Sequence, residues 1–430
     1  MMLLYNLFLC LGTAVALPVL LPWILRSRKR RKTVRQRLGL IRMYRSGPGD
    51  RRRIWVHALS VGEVISSVPL VTAIRKAYPD REIFFSASTL TGFETARREF
   101  QGGVTALFYF PYDLIFSVKR VLGAVNPEAL VIVETDLWPN FLFEAARRGI
   151  PVFLVNSRLS DSSFAGYRRF RFFFKPVFDT LTRICTQTRV DADRFQRLGV
   201  LEGKIAVTGN VKFDNPIEPL SEADIDALRR QSGIGPDRRV WVAGSTHDGE
   251  EAILLAAFKR LRRSFQKLFL ILAPRNPDRA PRVCDIARGL GLCVETLSAA
   301  EADHSKPAGE VLVVDRIGLL KRLYGVGEVA FVGGSLVEVG GHNFLEPAAH
   351  GKPVIFGPHV SAFTEISRML LQGGGAVPVS GEEDLHDALA GLLANPVRAR
   401  EMGKRGRKVF ERNRGSVDRT VSVIREHMDP

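Results

Sequence analysis

Acidic, basic and hydroxyl-bearing residues recur in this chain in short motifs that each follow an apolar run. HALSVGE (57–63) leads through Gly62 into a helical segment, which puts Glu63 at or near a helix start. A carboxylate there is able to take a proton from an attacking hydroxyl, if burial brings its pKa near the working pH. The plainer role, an acid that complements the helix dipole, also fits the residues. In ETDLWPN (134–140), Glu134 and Asp136 project to opposite faces if the strand continues, one toward a substrate and the other to cap the next helix; Trp138 and Pro139 supply apolar support. Lys212 in GNVKFD suits a leaving phosphate or a substrate carboxylate, with a solvated loop lysine as the alternative. Ser245, Thr246 and His247 precede Glu250 and Glu251, where hydroxyl capping of a helix is the simplest expectation. Pro274-Arg275 ends an apolar run, and a guanidinium fixed there binds phosphate or cytosine edge groups through its planar fork.

The stretch 329–359 concentrates these signals. It reads as a buried strand, a glycine-rich turn, a short helix and a second strand. Gly333, Gly334, Gly340 and Gly341 leave backbone N–H groups unobstructed, and Asn343 is placed to cap a helix beginning at about Phe344. Such a helix start favours a phosphate, and Glu346 one turn in can accept both hydroxyls of a ribose. The expectation is a nucleotide-linked substrate; a capped Gly-rich connection with no ligand is the bland alternative. His342 and His359 flank the turn without a carboxylate cage, so local hydrogen bonding is expected rather than metal ligation.

These motifs need a scaffold that gathers them, and the apolar runs supply one. Candidate strands at 54–58, 83–87, 130–133, 152–155, 183–186 and 205–208 precede a second series at 240–243, 268–272, 311–314, 329–332, 354–356 and 376–379. Continuous apolar strands separated by helices indicate parallel sheets covered on both faces. Ligands then bind outside the carboxyl ends of the strands, where eight of the polar motifs fall. The expected architecture is α/β, with two doubly wound Rossmann-like domains, 54–213 and 227–430, facing a cleft and joined by the proline-bearing linker 214–226. A basic amphipathic run from about 397 to 427 ends the chain and is expected to pack back across the junction.

Charge and hydropathy divide the first 53 residues differently. Residues 2–25 carry no charge, and 26–53 hold thirteen Lys or Arg against the single acid Asp50. Apolar first and basic second is the reverse of a secretory leader; it predicts a membrane anchor at 1–25 and a basic juxtamembrane linker at 26–53, with the bulk of the chain on the cytoplasmic side. Pro18 and Pro22 leave a full span and a monotopic anchor both open. The net charge of +17 asks for anionic partners. With the basic residues clustered beside the anchor and no aromatic-plus-basic module, lipid is favoured over nucleic acid. Cys10, Cys185, Cys284 and Cys293 show neither CxxC pairing nor zinc spacing, which suits a reducing cytosol.

The sequence has no phosphate-loop lysine motif and no GxGxxG after the first strand. A hydroxyl nucleophile, a carboxylate base and a nucleotide leaving group suffice for a metal-independent, inverting glycosyl transfer. HALSVGE, ETDLWPN, NSRLS, GNVKFD, GSTHDGEE, PRNPDR and GGHNFLEPAAHGKPVIFGPH together resemble the 3-deoxy-D-manno-octulosonic acid (Kdo) transferases of lipopolysaccharide assembly, over essentially the whole chain. The resemblance implies a GT-B glycosyltransferase with CMP-Kdo as donor and the lipid A precursor (lipid IVA) as acceptor, on the cytoplasmic side of the inner membrane among anionic lipids. It implies no cofactor, metal or nucleic acid. By the same resemblance Glu63 matches the family's proton acceptor, and Glu134 and Lys212 match residues that stabilise the transition state. Pro274, Arg275, Asn343, Phe344, Leu345 and Glu346 match CMP-binding positions. Ile317, Gly318 and Leu319 stand where the family has Met-Gly-Glu; the acid is missing, so these imply backbone contacts only. PRNPDR departs from the commoner PRHPER at Asn276 and Asp278. The rivals are a GT-B enzyme using a different nucleotide sugar on a lipid acceptor, and a non-enzymatic membrane-attached binder of anionic ligands.

Overall fold

The structure, a computed structural model, describes residues 2–40, 52–218, 220–302 and 309–428. It divides into two compact units, 1–215 with 413–430 and 216–412. The first is built on β1 (Arg53–Ala58), β2 (Glu82–Ala87), β3 (Ala106–Tyr109), β4 (Ala129–Val133), β5 (Val152–Ser157), β6 (Arg183–Thr186) and β7 (Ile205–Val207). They form one sheet in the order β3-β2-β1-β4-β5-β6-β7, with parallel pairings throughout. Period-two side-chain alternation accounts for the layers. Ile54, Val56 and Ala58 enter the core on one face, while Trp55 between them packs with Phe108, Phe110 and Phe141 on the other. The strand order reverses between β1 and β4, and the crevice at such a reversal is where doubly wound sheets bind ligands.

The second unit repeats the plan with β8 (Arg239–Thr246), β9 (Leu268–Pro274), β10 (Val294–Thr296), β11 (Val311–Val313), β12 (Val329–Val332), β13 (Val354–Phe356) and β14 (Ala376–Pro378). Their order is β10-β11-β9-β8-β12-β13-β14, reversing between β8 and β12. All twelve strands expected from the apolar runs form, and two more join them. β3 and β10 both lie at sheet edges. An edge strand is paired on one side only, so VET of β10 needs none of the apolar continuity that marks the central strands.

Ahead of the first sheet, α1 (Met2–Leu25) is an apolar helix of 24 residues, long and apolar enough to cross a membrane, with no fully buried residue. It is nevertheless tied to unit 1. The Tyr5 hydroxyl donates to Asp113 Oδ2 (2.8 Å), and Asn6 and Asn140 exchange side-chain hydrogen bonds of 2.9 and 2.8 Å. The expected basic linker is partly helical, forming α2 (Arg28–Arg37); the remainder of its basic residues at 41–51 lies outside the described residues. Likewise the expected linker 214–226 is cut short by helix Glu222–Gln231, started by a capping box of Ser221 and Asp224, and its Pro219 lies outside the described residues.

The closing basic run is two helices, Pro396–Arg412 and Ser416–Met428, broken where Gly415 takes φ +85°. The first belongs to unit 2 and the second to unit 1, so the sequence-based boundary 227–430 is corrected at its end. The reason is apolar: Val417, Val421, Val423 and Ile424 join the core that α3 (Val61–Ala77) covers. Asp214 then caps the helix, accepting from Gly415 N (2.6 Å) and Val417 N (2.7 Å). Truncating the fully buried Ile424 to alanine is expected to cost about 2–4 kcal/mol. Hydrogen exchange should then accelerate at β1, β4 and α3 while unit 2 amides keep their protection; acceleration centred on unit 2 would contradict this assignment.

Candidate active site

Around the β1/β4 reversal of unit 1 the loops assemble four ionisable side chains. Ser60 is the N-cap of α3 but makes no side-chain cap; instead the Glu63 carboxylate folds back over the helix start. It accepts from Leu59 N (2.6 Å) and Ser60 Oγ (3.0 Å). The helix-start role read from sequence is therefore real, and it does not exhaust the residue. Burial pushes Glu63 up to about 7, and the Glu134 and, less strongly, Asp136 charges push the same way against those two hydrogen bonds. Glu134 directly follows β4 at φ +62°, a conformation rare for a side chain with Cβ, held by its N–H to Val155 O (2.8 Å). Non-glycine residues in such a conformation cluster at functional sites. Lys212 Nζ lies 4.0 Å from Glu134 Oε1. Burial pulls the ammonium down and Glu134 opposes that. The group thus has a carboxylate poised near neutrality, a second carboxylate and a cation.

The expectation that one of Glu134 and Asp136 caps the next helix is corrected. The backbone turn at Glu134 ends strand alternation, and Asp136 Oδ2 instead meets His57 Nε2 (3.1 Å), with the imidazole stacked 3.9 Å from the Phe110 ring. The cap of helix Pro139–Arg147 is Asp113, which accepts from Asn140 N (3.0 Å) and Phe141 N (2.9 Å). Lys212 has a scaffold of its own. It rides on the single turn Val211–Asp214; Asn156 Oδ1 accepts from Val211 N (3.1 Å) and Asn210 Oδ1 from Lys212 N (3.0 Å). Gln187 ties these two asparagines together, donating to Asn156 O and accepting from Asn210 Nδ2, both at 2.9 Å. Asn156 sits at φ +54° where the β5–β6 register shifts, a bulge that turns its amide toward the Lys212 turn.

In unit 2 the glycine-rich turn behaves differently from the expectation of open N–H groups. The fully buried Glu250 carboxylate occupies them. It accepts from Gly334 N (2.7 Å), Ser335 N (3.0 Å), Leu336 N (2.9 Å) and His247 N (2.9 Å). Gly341 N is taken by Gly334 O (2.7 Å). Glycine at 333 is a packing requirement, since a Cβ would meet Ser245 O at 2.6 Å and Glu250 Oε2 at 2.8 Å. Nor do the hydroxyls of Ser245 and Thr246 cap helix Glu250–Leu261: its cap is Gly249 at φ +92°, while Ser245 at φ +57° forms a bulge in β8.

Beside this turn, helix Leu345–Ala349 is a single turn with Phe344 as its cap residue. Asn343 works one step outside: its Oδ1 accepts from Leu345 N (3.1 Å) and its Nδ2 donates to Glu346 Oε1 (3.1 Å). Burial raises Glu346, opposed by that hydrogen bond and by the charges of Lys321 and Arg275. Arg275 is exposed, anchored by its N–H to Thr246 O (3.0 Å) directly after buried Pro274. The imidazoles of His247 and His342 stack with Nε2 atoms 2.7 Å apart, so His342 bonds a residue 95 positions away rather than locally. Burial, then Arg275 and His247, lower His342 to about 4, leaving one N–H and one lone pair to share. Ile317, Gly318 and Leu319 form the loop from β11 into helix Leu320–Val326, with Ile317 exposed and Gly318 at φ +99°.

The predicted residues thus fall into two groups. Glu63, Glu134 and Lys212 meet in unit 1. Arg275 and the segment Asn343–Glu346 belong to a second group in unit 2, with Ile317–Leu319 on a separate loop. Sequence reasoning missed His57, Asn156, Gln187, Asn210 and the part that Glu250 plays. A polar residue within an otherwise apolar strand, as in NSRLS, was the available signal for Asn156.

Two doubly wound seven-stranded units with polar loops at their strand ends have the GT-B architecture, a fold that hosts more than one chemistry. The solved UDP-GlcNAc 2-epimerase of Neisseria meningitidis shares the fold at TM-score 0.60, covering 87% of this chain and 100% of that one at 13% identity. Residues 32–215 match the family model for 3-deoxy-D-manno-octulosonic-acid transferase (kdotransferase). A 3-deoxy-D-manno-octulosonic acid transferase of Haemophilus influenzae is 35% identical over 377 residues, 87% of each chain. One from Chlamydophila psittaci is 30% identical over 429 residues, 99% of this chain and 96% of that one. The chain belongs to the Kdo transferase family, glycosyltransferases of lipopolysaccharide biosynthesis.

The Glu250 result carries a test. Glu250→Ala strips the acceptor from buried N–H groups of the turn and is expected to destabilise unit 2 by about 3 kcal/mol or more in urea unfolding. Glu250→Gln, which keeps one acceptor oxygen, should cost less. A loss under about 1 kcal/mol for the alanine variant would mean that the turn holds itself.

Proposed function

We propose that this protein transfers Kdo from CMP-Kdo to a hydroxyl of the lipid A precursor, lipid IVA, with inversion at the anomeric carbon and without metal or cofactor, at the cytoplasmic side of the inner membrane. Unit 1 supplies the base. Glu63 takes the proton of the acceptor hydroxyl as that oxygen bonds to the anomeric carbon of Kdo. On the opposite face of the sugar the bond to the CMP phosphate breaks, and CMP departs with the electron pair. Lys212 compensates the negative charge that gathers on the leaving phosphate. Glu134, itself a carboxylate, holds Lys212 and raises Glu63 instead of stabilising an anion.

Unit 2 grips the donor. Arg275, following Pro274, is offered to the cytidylate by its guanidinium fork, and Glu346 to the ribose, with Asn343 orienting Glu346 and fixing the Leu345 N–H. Phe344 and Leu345 carry the backbone past the nucleotide, and Ile317, Gly318 and Leu319 contribute main-chain contacts only. Because Glu250 fills the glycine-rich turn, the phosphate relies on Arg275 and not on the N–H groups of Gly334–Leu336. Lipid IVA and the surrounding inner-membrane lipids are anionic, which suits the basic α2 and the apolar α1.

The observation that carries this reading is the position of Glu63: a buried carboxylate, beside Glu134 and Lys212, titrating at about 7. Ionised Glu63 is the active form, so kcat/KM for transfer from CMP-Kdo to lipid IVA should rise with pH and level off above an inflection near 7. Glu63→Gln should lose roughly 10²–10⁴-fold in rate and flatten that rise. Full turnover by this variant, or turnover with a UDP-sugar and none with CMP-Kdo, would refute the assignment.

A further inference from the structure

Among the α1 residues turned toward unit 1 is a stripe of Tyr5, Leu9, Thr13, Ala16, Leu20 and Ile24, at successive three- or four-residue spacings along its whole length. Between that stripe and the body of unit 1 runs an apolar groove of about 780 Å³, walled on the far side by Tyr112, Leu114 and Phe116 and by Val34 and Leu38 of α2. The outer face of the helix is exposed hydrocarbon, including Leu3, Leu7, Val15 and Val19. The helix is docked at its first turn through Tyr5–Asp113 and Asn6–Asn140, and near its last turn the Arg30 guanidinium of α2 donates to Trp23 O (3.1 Å). Asp113 and Asn140 are buried parts of unit 1 itself, 5% and 1% exposed. Nineteen residues separate Tyr5 from Ile24, about 28 Å of helix, close to the thickness of a bilayer core. A helix crossing the membrane would carry Tyr5 and Asn6 to the face opposite Asp113 and Asn140. Docking and spanning are therefore mutually exclusive.

We propose that α1 is a monotopic anchor lying in one leaflet alongside unit 1, and that the groove beneath it holds an acyl chain of an anionic membrane lipid. Hydrocarbon on the outer face of α1 needs a hydrocarbon solvent, and a groove of this volume with apolar walls takes an apolar guest. Charge selects the guest's headgroup. α2, which contributes to the groove wall, has no acidic residue and exposes Arg28, Arg31, Lys32 and Arg35. The inference concerns membrane engagement and stands apart from the identity of the transferred sugar.

The test uses the full chain, with Cys10 and Cys293 replaced by serine, bound to the outside of phosphatidylethanolamine/phosphatidylglycerol vesicles. A membrane-impermeant maleimide added outside should label Leu3→Cys, because both ends of a monotopic helix remain on the side of unit 1. Asn6→Cys with Asn140→Cys should form a disulfide on mild oxidation. Phosphatidylglycerol with a photoreactive group in its acyl chain should give adducts at Leu9, Leu20 or Phe116, lost in Ala16→Trp while vesicle binding persists. Protection of Leu3→Cys until detergent is added would overturn the monotopic placement. Adducts confined to Leu7, Val15 and Val19 would overturn the groove assignment.

Discussion

A carboxylate buried beside other carboxylates is the constraint on which this structure turns. Placing Glu63 out of water next to Glu134 and Asp136 is unfavourable for its ionised form, and the fold tolerates this because all three sit at the carboxyl ends of two neighbouring strands, β1 and β4, whose pairing is fixed by apolar residues on both faces. The Leu59 N–H and Ser60 hydroxyl recover part of the cost, and Lys212 answers Glu134. An apolar scaffold thus enforces a polar cluster that would not assemble by its own preferences. That is how a glutamate acquires a protonation equilibrium useful at neutral pH.

The two units share a topology and use it differently. At the β1/β4 reversal of unit 1 the loops leave Glu63 and Glu134 available. At the β8/β12 reversal of unit 2 the corresponding loops close on each other, Glu250 from one filling the N–H groups of the other. A glycine-rich turn has two physical uses, close backbone packing and anion binding, and here the protein's own carboxylate is the anion. The groups proposed for a ligand in unit 2 lie beside that turn: Arg275 directly after β9 and Glu346 behind Asn343.

Much of the scaffold was legible because central parallel strands must be apolar on both faces. Runs such as ALVIV (129–133) and LFLIL (268–272) admit few other readings. β3 and β10 escaped for the complementary reason, that edge strands carry little of that burden. Glu63, Glu134 and Lys212, which lie together in the structure, were singled out because each follows a strand in a motif carrying the family resemblance. Their supports were not. The pairing of His57 with Asp136, of His247 with His342 and of Asn156 with Val211 N joins residues distant in sequence, and hydrogen bonds between distant loops leave no periodicity. That Asp113, and neither Glu134 nor Asp136, caps the next helix has the same origin: the positive φ of Glu134 interrupts the strand alternation assumed from the sequence. The closing helix was recognised as amphipathic, but which unit its apolar face would cover depended on packing alone.

The account rests most heavily on how Glu63 titrates in the folded protein. Carboxyl-stretch infrared difference spectra, recorded across pH for the intact protein and with Glu63→Gln subtracted, read that equilibrium directly. The account predicts a protonated-carboxyl band assigned to Glu63 that disappears with a midpoint near 7. A midpoint near the model-peptide value of about 4.3 would contradict it.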